Sequence, residues 1–489
     1  MMQTMQIRLT RELISEIKML VDMGIYPNVS EAVRDSVRML VTSKERPTSL
    51  PESRKEEIEV IQEKIQEEVK KQVKENLKKP KGTTDFTPQE MNLRTQVFNT
   101  LRKTSESYGF NEVEPPAFET LATLTKKSGE ETINQIFTLE QKGSEKFGLR
   151  FDLTVPITRM FIEKQREIPK PAKWFGLSRM WRYERPQAGR LREFYQLSVE
   201  LFGSKNPEAD AEVINLAINC LTNLKLTKDD FYVRINNRKL LQGLLEEYTT
   251  KENIEKLIAL VDKKDKLRPE DFLASLKDLN IKNPEELKKL LETDNIDEIK
   301  PNSELAKEGL KELKEVIKLS NKDFLKVDLT VARGLAYYTG TVFELFDKSG
   351  KYRALAGGGR YDNMVKLFGG EDCPATGFGL GYSTLSLLLK DKGLMPEAKS
   401  NIDYYIATIS QDVKEDAIQI ANKLREKYNV SIDLMQRNLG NQFKYANSIK
   451  AKKVIVIGPD EIKKGKVNIK DMATGEQVEK DIENLLGDY

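Results

Sequence analysis

Histidine is missing altogether from this 489-residue chain. Its absence excludes Ser-His-Asp and Cys-His catalysis, imidazole general bases and histidine metal ligands. Chance explains such a gap poorly; selection or deliberate engineering explain it better, and both stay open. An enzyme built from these residues works with fixed charges, carboxylates and bound metal ions. Cysteine is nearly absent too. Cys220 and Cys373 stand far apart without partner spacing, which fits a reducing cytoplasm and argues against a cysteine zinc site. No apolar run approaches membrane-spanning length, and the amino terminus lacks a signal-peptide pattern. Charged residues make up 32% of the chain, yet the net charge is only +3. Any RNA-binding face must therefore be local.

The length is enough for several domains, each with its own core. Residues 1–44 read as a small separate unit. Met5, Ile7 and Leu9 alternate with Thr4, Gln6 and Arg8 as a short strand. Thr10 can cap a helix with Leu13, Ile17, Leu20 and Val21 at helical spacing, closed by Gly24. Asn28 and Glu31 form a capping-box pattern before Ala32, Val33, Val37 and Leu40. Residues 45–80 read as a charged helical linker: Ile61, Ile65, Val69, Val73 and Leu77 recur every four residues, so the apolar stripe drifts around the cylinder. The run from Pro80 to Pro88 breaks it. Gln89 to Tyr108 reads as a helix and Asn111 to Pro116 as a strand.

The densest chemistry lies between Met180 and Gly203. Trp181 and Tyr183 share one strand face; Phe194, Gln196 and Ser198 share another; Pro186-Gln187-Ala188-Gly189-Arg190 is a turn cluster. The pattern predicts two antiparallel strands joined by a loop carrying Arg185 and Arg190. Forked guanidinium groups on such a hairpin suit bidentate phosphate binding. The other reading is a surface hairpin laced with ion pairs. Upstream, Leu149-Arg150-Phe151-Asp152-Leu153-Thr154-Val155-Pro156 is a strand end rich in charge. Residues 237–325 are Lys-, Glu- and Leu-rich with helical periodicity and read as a helical insertion. Residues 401–489 alternate strand and helix, with strands at Tyr404–Ile409 and Val454–Gly458 and amphipathic helices at Glu415–Tyr428 and Asn441–Ala451.

"Leu-Arg-x-Asp-Leu-Thr-x-Pro", then "Trp-Arg-x-Glu-Arg-Pro" and "Arg-Glu-Phe-x-Gln", resembles motif 2 of class II aminoacyl-tRNA synthetases and its approach. Arg333-Gly334-Leu335-Ala336-Tyr337-Tyr338-Thr339-Gly340-Thr341-Val342-Phe343-Glu344, followed by Ala356-Gly357-Gly358-Gly359-Arg360-Tyr361-Asp362, resembles the histidine-specific motif of histidyl-tRNA synthetases. The glycines let backbone approach a ligand closely. The resemblance runs from Lys81 to Tyr489. It implies an α+β fold: a class II antiparallel-sheet catalytic domain in two parts (81–236 and 326–398) around the helical insertion, then an α/β anticodon-binding domain. It also implies a cytoplasmic homodimer that activates L-histidine with ATP and Mg2+ and transfers it to tRNA(His). Attack of a carboxylate on the α-phosphate needs charge and alignment but no protein base, which agrees with the missing histidine.

By position, the resemblance makes Arg182 the α-phosphate ligand and Arg190 the γ-phosphate ligand, with Glu184 near the adenine. Arg333 stabilises the α-phosphate charge, so Arg182 and Arg333 are the catalytic pair. Asp152 and Gln196 match the α-amino ligands, and Glu200 and Tyr338 the pair that reads the imidazole. Thr154, Tyr337 and Tyr361 complete the histidine pocket. Two departures stand out. Ala336 replaces a frequent Asp, and motif 3, Gly377 to Leu385, has Ser383-Thr384 where most members have Glu-Arg. The missing arginine leaves Arg360, or the magnesium on ATP, to hold the γ-phosphate.

Residues 1–44 resemble a ribbon-helix-helix module, in which Thr4, Gln6 and Arg8 would face DNA bases. A dimerisation handle without nucleic acid is the reading preferred here. Two other functions fit less well: a lapsed synthetase paralogue that senses histidine, and a DNA-binding regulator acting through residues 1–44.

Overall fold

The computed structural model describes residues 9–42, 63, 64, 66, 67, 78–126, 133–141, 143–250, 252–332, 337–398 and 401–487. The expected strand residues Thr4, Met5, Gln6, Ile7 and Arg8 lie outside these. So do Ile61, Ile65, Val69, Val73 and Leu77 of the linker and Arg333 to Ala336; the side chains of Val37 and Leu40 are likewise outside. The chain forms two bodies, Met1–Asp85 with Trp181–Phe194, and Phe86–Met180 with Tyr195–Tyr489.

In the first body, helix Arg11–Asp22 starts at Thr10, whose hydroxyl accepts the Leu13 amide. Helix Val29–Thr42 follows Asn28, whose side chain accepts the Glu31 amide at 3.0 Å. These caps satisfy amide groups that a helix end leaves open. Leu13, Ile17 and Ala32 form a small buried cluster between the two helices. The same body holds the hairpin tip. Gln187 and Arg190 exchange backbone hydrogen bonds around Gly189, whose φ of +74° suits glycine. Gly82 accepts the Arg192 and Glu193 amides.

The second body begins with helix Pro88–Ser107, opened by a capping box between Thr87 and Glu90. Its strands are β1 (Asn111–Glu112), β2 (Phe118–Thr120), β3 (Phe147–Leu149), β4 (Ala172–Trp181), β5 (Glu193–Phe202), β6 (Phe231–Asn237), β7 (Leu325–Val327), β8 (Thr341–Asp347), β9 (Ala356–Arg360) and β10 (Ala375–Gly381). Eight of these form one sheet in the order β1-β4-β5-β10-β9-β8-β6-β7. The sheet is mixed, not purely antiparallel as expected. Strands β5, β10, β9, β8 and β6 pair antiparallel in succession, while β1 joins β4 and β7 joins β6 in parallel. The strand expected over Asn111 to Pro116 stops at Glu112, since Pro115 and Pro116 have no amide for a ladder.

Pleating divides this sheet. Leu197, Val199, Leu201, Phe378 and Leu380 turn to one face and pack with helix Pro207–Thr222 in the main core. Helices from Arg238 to Leu319 lie between β6 and β7 in sequence, and Leu240, Leu257, Phe272, Leu287 and Leu313 join the same core. This segment therefore shares the catalytic core.

The C-terminal part of the chain adds β11 (Tyr404–Thr408), β12 (Val430–Ile432), β13 (Lys453–Ile457), β14 (Lys466–Asp471) and β15 (Gln477–Asp481), in the order β12-β11-β13-β14-β15. The first three strands are parallel, and β14 and β15 add antiparallel. Ile406 packs with helix Lys414–Leu424, and its neighbours Tyr405 and Ala407 with helix Leu439–Ser448. A strand covered on both faces reads as a continuous apolar run, as β11 does.

Candidate active site

The face of the sheet opposite the main core has a floor made of glycine. On β5, Gln196, Ser198 and Glu200 point to this side. In register beside them, β10 contributes Gly377 and Gly379, and β9 contributes Gly359 and Gly357. Two adjacent strands thus carry no side chain where a ligand would rest. The floor cannot be filled. A Cβ on Gly377 would lie 2.4 Å from Glu200 Oε2 and 3.0 Å from the Tyr361 hydroxyl; one on Gly379 would lie 2.7 Å from Gln196 Nε2. A Cβ on Gly359 would meet the Tyr338 ring at 3.0 Å, at a φ of +157°.

Glu200, Gln196, Tyr338 and Tyr361, all expected in one pocket, stand against this floor. Glu200 is 1% exposed and Tyr361 2% exposed. Glu200 Oε2 and the Tyr361 hydroxyl have no hydrogen-bond partner among the described residues. Burial, and then the charge of nearby Asp152, push the Glu200 carboxyl well above its usual range, against an opposing Thr154 contact. Two buried polar groups converging without partners make a site ready for a ligand with its own donors and acceptors. Gln196 donates to Ser198 Oγ at 2.9 Å. Asp152 accepts the Thr154 amide at 2.6 Å, at the start of helix Thr154–Glu163. The Tyr337 ring centroid lies 4.7 Å from that of Tyr338 and 5.9 Å from that of Tyr361.

Arg150 explains why the Asp152 turn holds its shape. Its buried guanidinium donates to the Pro115, Pro116 and Arg179 carbonyls and pairs with Glu114 at 3.3 Å. Glu114 also accepts Ser178 Oγ at 2.8 Å.

In the other body, Arg190 pairs with Glu184. The Arg182 guanidinium sits 5.1 Å from the Phe194 ring centroid, and Arg192 sits 4.2 Å from that of Tyr183. The hairpin thus carries an internal ion pair and cation–π contacts of its own, which hold its arginines in place. Arginine held this way keeps its fork oriented for an anion.

Arg360, expected near the γ-phosphate, does not face the glycine floor. It is the neighbour of Gly359, so its side chain goes to the opposite face of the sheet. There it is 4% exposed and fully engaged. Nε pairs with Asp210 at 2.9 Å, one terminal nitrogen bonds Ser204 O at 2.8 Å and Asp362 at 3.1 Å, and the other bonds Asn206 O at 3.1 Å. Every guanidinium nitrogen is bonded to protein, which leaves none free to take the part of the motif 3 arginine in this structure. Thr384 is itself buried, in helix Tyr382–Asp391.

Glycine-floored face, buried glutamate and paired tyrosines are matched by kinship. Residues 82–385 match the family model described as histidyl-tRNA synthetase. The chain belongs to the histidyl-tRNA synthetase family. Residues 403–487 match the anticodon binding domain. A histidine–tRNA ligase of Haloarcula marismortui is 38% identical over 422 residues, which span 84% of this chain and 97% of the relative. One from Pyrococcus furiosus is 39% identical, spanning 84% and 98%. The crystal structure of histidyl-tRNA synthetase from Nostoc sp. PCC 7120 superposes with a TM-score of 0.71 at 26% identity, over 84% of this chain and 98% of that one. Neither family match reaches residues 1–81, so the ribbon-helix-helix likeness gains no support from this family.

Sequence reading missed Asp210 and the roles of Gly377 and Gly379. The signal for the glycines was available: Gly377-x-Gly379-x-Gly381 repeats with the strand period of two. Asp210 gives no signal in sequence, because nothing there reveals its partner.

Proposed function

We propose that this chain is a histidine–tRNA ligase that forms histidyl-adenylate from L-histidine and ATP, then transfers the histidyl group to the 3′ end of tRNA(His). The observation that carries this reading is that Glu200 Oε2 and the Tyr361 hydroxyl, both without a partner among the described residues, converge over a floor that only glycine allows. An imidazole offers a donor and an acceptor on a flat ring, which suits that space. Glu200 and Tyr338 read the ring, while Asp152 and Gln196 hold the α-amino group. Thr154 and Tyr337 help to close the pocket.

Arg182 and Arg190 bind the α- and γ-phosphates, and Glu184 lies by the adenine. The Glu184–Arg190 pair must open, or share its arginine, when ATP arrives. Among the described residues no group of three or more Cys, Asp or Glu side chains is placed to cage a metal. Magnesium enters as part of the MgATP substrate. With Arg360 engaged elsewhere, the γ-phosphate relies on Arg190 and that magnesium. Arg333, outside the described residues, stabilises charge as the α-phosphate becomes five-coordinate. Arg333→Ala should slow activation on the order of a hundredfold or more while histidine still binds.

The anticodon-domain match over residues 403–487 favours a tRNA-charging enzyme over a histidine sensor. The protein works as a cytoplasmic homodimer, with residues 1–44 as a dimerisation handle; DNA binding there is the alternative. Histidine-dependent ATP–pyrophosphate exchange, followed by charging of tRNA(His), tests the assignment. Absence of exchange in the full chain would return the sensor reading.

A further inference from the structure

We infer that Arg360 is a positioning residue for the histidine pocket, acting from the opposite side of the sheet. The inference rests on the proposed activity and names a residue that sets its substrate geometry. Arg360 stands between Gly359, part of the floor, and Tyr361, part of the wall. Its guanidinium ties this point to three other places. Asp210 is in the first turn of helix Pro207–Thr222. Ser204 and Asn206 form the loop leaving β5, the strand of Glu200. Asp362 lies just past Tyr361.

The backbone of the same residue holds the remaining wall. Arg360 O accepts the Thr339 amide at 2.8 Å, next to Tyr338, and the Thr339 hydroxyl accepts the Asp362 amide at 3.0 Å. A Cβ on Gly340 would come within 2.9 Å of Arg360 Cδ, so this segment is packed onto the arginine. One buried fork therefore sets the spacing between Glu200, Tyr338 and Tyr361 without touching the substrate. Lysine can keep the charge opposite Asp210, but it has no planar fork to bridge two loop carbonyls and Asp362.

The test is Arg360→Lys, with steady-state exchange kinetics varied separately in histidine and in ATP, and a thermal melt. Misplacement of reacting groups by about 1 Å costs up to roughly a hundredfold. The expected result is a histidine KM raised on the order of tenfold or more, with an ATP KM within about twofold of wild type and a near-normal melt. Arg360→Met with Asp210→Leu supplies a second variant, because replacing both members of a buried pair avoids stranding one charge. It should fold and show the same split. A raised ATP KM with unchanged histidine KM would make Arg360 a nucleotide ligand and overturn the inference. Unchanged values for both substrates would reduce it to a structural ion pair. Wild type without exchange would instead refute the proposed activity.

We further infer that the absence of histidine frees synthesis of this enzyme from dependence on its own product. With histidine codons, falling histidyl-tRNA would slow production of the ligase that makes it, a loop that deepens starvation. A chain with none is translated as long as the other aminoacyl-tRNAs last. The comparison is between wild type and a version with exposed Lys289→His, Glu315→His and Lys318→His, each pulse-labelled in a histidine auxotroph before and after histidine withdrawal. Equal activity of the two purified proteins controls for damage, and that activity tests the enzyme assignment by itself. The substituted chain should lose synthesis faster. An equal decline would overturn the inference.

Discussion

Glu200 and Arg360 are both buried charged residues in the middle of one sheet, on opposite faces. Arg360 has every guanidinium nitrogen bonded to protein. Glu200 keeps Oε2 without a partner among the described residues and has its carboxyl pushed upward by burial and Asp152. Folding satisfies the first and leaves the second open. Leaving a buried polar atom unpaired costs about 1–3 kcal/mol, so an open one facing a floor without side chains is a candidate place for a ligand. On that basis a saturated arginine reads as scaffold, and a carboxyl with one open oxygen over the glycine floor as a site.

The largest effect should come from filling the floor. Gly377→Ala puts a methyl 2.2 Å from Val199 O and 2.4 Å from Glu200 Oε2. Exchange activity should fall on the order of a hundredfold or more. Gly381→Ala, on the same strand with nothing within 4 Å of the added atom, should stay near wild type. If the two variants behave alike, the floor is not the substrate site.

Next comes Glu200→Ala, which leaves the ring nitrogen of histidine unpaired. The expected loss of histidine affinity is roughly 1–3 kcal/mol, read by calorimetric titration. Unchanged affinity would mean that another group reads the ring. Glu200 also makes a pH prediction. Its folded pKa is raised, so the native state binds more protons than the unfolded state above the ordinary carboxylate range. That contribution to stability is full below the unfolded pKa, about 4.3 for Glu, and is lost as pH rises through the raised folded value. No histidine titration overlaps this window. Denaturant melts of the unliganded protein should show Glu200→Gln gaining on wild type as pH rises; parallel curves would contradict the shift.

The smallest effect is expected for Tyr361→Phe. Its hydroxyl has no partner among the described residues, so removing it should leave the stability of the empty protein nearly unchanged. Histidine affinity should fall by about 1 kcal/mol. A clear loss of stability without histidine would mean that the hydroxyl has a structural bond.

Much of this site is legible in sequence because its motifs are contiguous. Trp181 to Gln196 announces a hairpin, and Tyr337 to Asp362 carries both tyrosines and the glycine run. Gln196 ends the first of these, Glu200 follows four residues later on the same strand, and Asp152 comes from the upstream Leu149 to Pro156 run. Arg360 was misread because adjacency in a motif suggests adjacency in space. In a strand the opposite holds: Gly357, Gly359 and Tyr361 share a side and Arg360 takes the other. Its true partner, Asp210, lies 150 residues earlier on a helix, a pairing only tertiary structure reveals. The parallel edge strand β7 was equally hidden, since it is three residues long and draws its stability from β6, whereas β1 was expected but is shorter than the sequence suggests.

The most direct test of the contrast between open and saturated charge is stabilisation by histidine alone. A ligand that binds only the native state raises the melting temperature by an amount that grows with the logarithm of its concentration over Kd. Melts of wild type, Glu200→Gln and Arg360→Lys would be recorded with and without saturating L-histidine. Histidine should raise the melting temperature of wild type clearly, that of Arg360→Lys less, and that of Glu200→Gln hardly at all. An equal rise in wild type and Glu200→Gln would contradict the claim that the open carboxylate is where histidine binds.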